Sequence, residues 1–81
     1  MKIGEGAVAG ALLVLGRSCP LERLVSHLVD TYPRLTPRSA HRLVWEVSEA
    51  EGTEVVYLFD PAVAGGALIE LRLDKKRRPA P

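Results

Sequence analysis

Six side chains between positions 34 and 42 have the chemistry to hold an anion or the edge of a base: Arg34, Thr36, Arg38, Ser39, His41 and Arg42. A guanidinium presents a planar fork that matches phosphate or guanine bidentately, and hydroxyl and imidazole groups meet either partner. A second basic run, Lys75, Lys76, Arg77 and Arg78, closes the chain. That run supplies four of the eleven basic residues, so the first 74 residues hold seven basic against ten acidic side chains. A uniformly basic body, the usual footprint of a general nucleic-acid coat, is therefore absent, and anion binding must rest on a local patch and the tail.

The patch sits where a helix would least want it for its own stability. Arg34, Arg38, His41 and Arg42 lie at the N-terminal end of a predicted helix, and Glu46, Glu49 and Glu51 at its C-terminal end. The helix dipole favours the reverse, and Arg42 before Glu46 is the weaker order for a pair one turn apart. An anionic partner at the helix start accounts for the arginines, because backbone N–H groups and the dipole already favour one there. An ordinary solvated face is the competing reading.

Catalysis finds no such constellation. No Ser/His/Asp arrangement, phosphate loop or metal-ligand spacing emerges, and the carboxylates are scattered. Cys19 is the sole cysteine, which excludes an internal disulfide and points to a reducing, cytoplasmic setting. With two histidines it falls short of a zinc site. The chain is expected to be no enzyme and to need no cofactor or metal.

The elements that must position the patch can be read from spacing. Residues 36–52 predict a helix: Thr36 as N-cap, Pro37 at the first helical position, Ala40, Leu43, Val44 and Val47 on one face, and Gly52 as a left-handed stop. Upstream, a helix is predicted from Pro20, capped by Ser18 or Cys19. Its inner stripe is Leu21, Leu24, Val25, Leu28 and Tyr32, with His27 outward, and it ends at Pro33. Arg34-Leu35-Thr36 is the short connection of two helices that meet at an angle. Beyond Gly52, runs 53–59 and 67–73 alternate as strands, joined by Pro61-Ala-Val-Ala-Gly-Gly66, a loop with no basic residue.

The N-terminus is unusual. Ala7 to Leu15 has no polar side chain. Glu5 before this run and Arg17 just ahead of Cys19 argue against a lipoprotein-type signal, and nine residues are too few to span a bilayer. Read as a helix, the segment is apolar all round and needs cover on most sides. Two arrangements supply it: a central helix beneath the other elements, or a homodimer packed through Leu12 and Val14, with Gly6, Ala7 and Gly10 permitting close approach.

The stretch LTPRSAHRLVWEVSEAEGTEVVYL resembles the winged helix-turn-helix proteins, many of them bacterial and archaeal transcription regulators. Ala40 matches their small position, Leu43-Val44 the core pair and Gly52 the exit glycine, and the likeness covers residues 18–74. The resemblance implies an α+β fold, a three-helix winged helix-turn-helix with a C-terminal two-stranded hairpin wing, with the domain expected over residues 1–74; the basic run sets off 75–81 as an expected disordered tail. It also implies that Arg38, Ser39, His41 and Arg42 enter the major groove of double-stranded DNA, in transcription regulation or chromosome organisation. Two departures are visible. The spacing from Val47 to Gly52 is one residue longer, and the wing tip lacks the basic residue that many members place in the minor groove.

Trp45 shares the exposed face with Arg38, Arg42 and Glu49. An aromatic anchor beside arginine is the usual profile of a protein interface. The alternative function is therefore a winged-helix interaction module in a larger assembly, and the alternative placement of Trp45 is folded down onto a neighbouring segment, the hairpin or the tail.

Overall fold

The computed structural model describes residues 4–72. The elements run α1 (Glu5–Val14), β1 (Ser18–Pro20), α2 (Leu21–Thr31), α3 (Pro37–Glu49), β2 (Val55–Phe59) and β3 (Ala67–Leu71). Three helices lie on one antiparallel sheet with strand order β1-β3-β2, an α+β arrangement. The last strand, expected to run to 73, ends at Leu71, with Arg72 beyond it; Leu73 and the basic run 75–78 lie outside the described residues.

β1 corrects the expected two-stranded hairpin. Ser18 and Cys19 do not cap α2; they are extended and pair with β3, Ser18 opposite Glu70 and Cys19 opposite Ile69. Two causes act locally. Pro20 disfavours a helical conformation at Cys19. Gly16 and Arg17, at φ 92° and 71°, turn the chain back after α1. α2 accordingly begins at Leu21, behind Pro20 and without a side-chain cap.

α1 is amphipathic by burial although not by residue type. Val8, Ala11 and Leu12 are buried and contribute to one core with α2, α3 and the sheet. Leu13 and Val14 stay exposed. Leu12, expected at a homodimer interface, has no exposed surface even in the single chain and so cannot meet a second copy. The remaining core is as the stripes require: Leu21, Leu24, Val25 and Leu28 from α2, Ala40, Val44 and Val47 from α3, and Cys19, Val55, Ala67 and Ile69 from the sheet. His27, expected on the solvated face, is only half-exposed and lines a small groove between α1 and α2.

Both ends of α3 are locked by side chains. At the start, the Thr36 hydroxyl accepts from the Ser39 N–H at 3.1 Å and the Ser39 hydroxyl accepts from the Thr36 N–H at 2.9 Å, a capping box with Ser in the usual Glu position. Pro37 follows at the first position. At the end, the helix stops at Glu49, before the expected glycine. The buried Thr53 hydroxyl donates to the carbonyls of Val47 (2.8 Å) and Ala50 (3.1 Å) at the helix end, where the Val47 carbonyl also accepts from the Ala50 N–H at 3.3 Å. Gly52 does adopt a left-handed φ of 79°, in the turn that follows. The Glu5 carboxylate accepts from the Glu54 N–H at 3.3 Å and ties the start of α1 to the entry of β2.

Candidate functional site

α2 ends at Thr31, Tyr32 before Pro33 being extended, and the turn is closed by Leu35 N–H donating to the Tyr32 carbonyl at 2.9 Å. Leu35 is half-buried against the core. The start of α3 is thereby fixed relative to α2 through packed side chains rather than through a mobile linker. Thr36, Arg38, Ser39 and Arg42 come together there around an open concavity of about 390 Å³. Arg34 and His41 are exposed nearby without lining it.

The four lining residues do not have equal freedom. The hydroxyls of Thr36 and Ser39 are engaged in the capping box, and Ser39 also donates to the Thr36 carbonyl at 3.1 Å. Their first duty is to hold the helix start. Arg38 and Arg42 are exposed, one turn apart, and neither forms an ion pair among the described residues. Arg42 does not bridge to Glu46 on the next turn. The ion pair found among the described residues lies elsewhere, between Arg72 and Glu70 at 2.7 Å at the end of β3. Two guanidinium groups without an ion-pair partner among the described residues thus lie at the positive end of a helix dipole. Bidentate forks from the side chains and the orienting field of the helix are the chemistry an anion would require there.

Farther along the same helix the chemistry changes. Trp45 is 44% exposed and meets the Tyr57 ring edge to face, with centroids 4.9 Å apart and planes at 81°. Tyr57 in turn meets Phe59 at 5.5 Å. Trp45 therefore leans on β2 and still offers nearly half its surface outward. Phe59 is a residue that the sequence reading did not single out. It follows the inward alternation of Val55 and Tyr57, but it lies at the end of the strand and is 77% exposed. That position, last in an apolar strand and next to Asp60-Pro61, was the available signal.

The loop 60–66 is organised by its own polar groups. The Asp60 carboxylate accepts from Ala62 N–H at 2.9 Å, and Asp60 N–H donates to the Gly66 carbonyl at 2.9 Å. It brings no cation toward α3, as its sequence requires.

Cys19 is buried in the sheet, and burial pushes its thiol above the ordinary value, with the Arg23 charge opposing weakly. A neutral, enclosed thiol is a packing group. Among the described residues no three His, Cys, Asp or Glu side chains gather as metal ligands, and no helix is long and apolar enough to cross a membrane. In comparisons with known proteins, the chain matches no family model, no curated protein and no solved structure at a significant level.

Proposed function

We propose that this chain is a winged-helix domain that binds duplex DNA by presenting the first two turns of α3 to the major groove. One observation carries the reading: Arg38 and Arg42 stand exposed, one turn apart and without acidic partners among the described residues, at the capped start of a helix. The order of two helices joined by a short turn, followed by a hairpin, is compatible with this use.

Charge sets the docking angle. Arg38 and Glu46 are eight residues apart on α3, about 12 Å at 1.5 Å per residue. Glu46, Glu49 and Glu51 would meet phosphates if the helix lay flat along the groove. The helix therefore enters N-terminus first and tilts its acidic half away from the backbone. The loop 60–66 has nothing to offer a minor groove, so the contact is narrow and its affinity modest. The run 75–78 adds sequence-independent attraction, which suits a role in transcription regulation or chromosome organisation. Fluorescence anisotropy on a labelled duplex at two salt concentrations tests the reading. Binding should weaken steeply with salt, because each phosphate neutralised contributes about −0.9 to the logarithmic slope. A protein that ignores duplex DNA, or binds it independently of salt, would sink the proposal.

A further inference from the structure

The acidic half of α3 borders a surface that DNA binding does not use. Trp45 and Phe59, two of the four large hydrophobic side chains left exposed among the described residues, each pack against Tyr57, which lies between them. With Ser48, Glu49 and Val56 they enclose a concavity of about 190 Å³. That is below the roughly 300–1,000 Å³ of a small-molecule pocket and is suited to a single inserted side chain.

Its electrostatics select the side chain. Glu49 stands on the rim and Glu46, also exposed, one turn before it; neither forms an ion pair among the described residues. The ring faces of Trp45 and Phe59 add the negative potential of their π systems. Among the described residues no cation lines the concavity. A nucleic-acid strand is repelled here. A guanidinium group is attracted three ways: its plane stacks on an aromatic ring, its charge meets a carboxylate, and its aliphatic stem covers apolar surface. We propose that the Trp45–Tyr57–Phe59 groove docks an arginine-bearing segment of a partner protein, so that α3 serves DNA with its basic half and a protein with its acidic half.

Trp45 is the sole tryptophan, so its emission reports the groove directly. The probe is a synthetic peptide of alternating leucine and arginine, titrated into the full chain, with a leucine–glutamine peptide as the neutral control. The arginine peptide should shift Trp45 emission saturably, and the glutamine peptide should bind at least about fivefold more weakly. With a labelled peptide and anisotropy as readout, Phe59→Ser and Glu49→Gln should each weaken binding about two- to fivefold. Both residues are exposed, so unchanged circular dichroism is expected and checks that the variants fold. Equal binding of both peptides, no binding at about 1 mM peptide, or variants that bind like the parent would overturn the proposal. Two other occupants have distinct signatures, and either would replace it. Self-association that Phe59→Ser abolishes identifies a second copy. A Trp45 emission change on deleting residues 75–81 alone identifies the chain's own basic run.

Discussion

Leu12 offers the sharpest test of how the single chain builds its core. It is fully enclosed on α1, beside Val8 and Ala11 and within the cluster that includes Leu24, Leu28 and Val44. Leu12→Ala removes three carbons, about 2.4 kcal/mol at roughly 0.8 kcal/mol each. The cavity left behind adds to this, for a total of about 3–4 kcal/mol. A domain of this length has a stability of about 4–12 kcal/mol, so the loss is a large fraction of it. Val14, two residues on, is 72% exposed. Val14→Ala should change stability by less than about 0.5 kcal/mol. Urea unfolding followed by circular dichroism at two protein concentrations separates the possibilities. Leu12→Ala should show a large, concentration-independent loss and Val14→Ala almost none. A midpoint that rises with protein concentration, or two variants with similar losses, would show that α1 completes its burial against another copy and that the reasoning from the single chain is wrong.

Thr53→Val keeps the shape of the side chain but leaves the Val47 and Ala50 carbonyls without their hydroxyl donor. It should cost about 1–2 kcal/mol, read as a lower melting temperature, and an unchanged melt would mean that water replaces the hydroxyl without loss. Cys19 should react with iodoacetamide far more slowly in the native chain than in urea, since its thiol is buried and its thiolate disfavoured. Because the folded pKa is raised, the native state holds this proton more tightly than the unfolded chain. The contribution is complete below the unfolded value near 9.0 and is lost as pH rises through the higher folded one, so stability should decline on the alkaline side. Rapid native alkylation would show that the sheet opens around Cys19.

The parts legible in the sequence were those set by local rules. The cap at Thr36 and the stripes Leu21-Leu24-Val25-Leu28 and Ala40-Val44-Val47 depend on neighbours within two turns, and the structure has them as read. The hairpin followed from alternation and the glycine pair. β1 was not legible because three residues carry no period and its partner lies about fifty residues away, at Leu68–Glu70. The buried face of α1 was hidden because every face is apolar, so only the position of α2 and the sheet decides that Leu12 goes in and Val14 stays out. The end of α3 was misplaced because Gly52 supplied a visible stop, whereas Thr53, reaching back over six residues, stops the helix earlier. At the candidate site, periodicity put Arg38 and Arg42 on one face. It could not show that Thr36 and Ser39 are occupied by each other, nor that Trp45 and Phe59 converge from different elements.

The start of α3 is the surface proposed to meet duplex DNA. The most direct measurement is duplex binding by the Arg38→Ala/Arg42→Ala double variant against the parent chain across a salt series. Both side chains are exposed and outside the core, so folding should be unaffected. If both contact phosphate, the logarithmic salt slope should fall by about 1.8, two contacts at about 0.9 each. A base contact by either arginine should in addition cost about 1–3 kcal/mol on the preferred sequence alone. A double variant that binds duplex DNA with the parent's affinity and the parent's salt slope would contradict the account and leave α3 without a role at the groove.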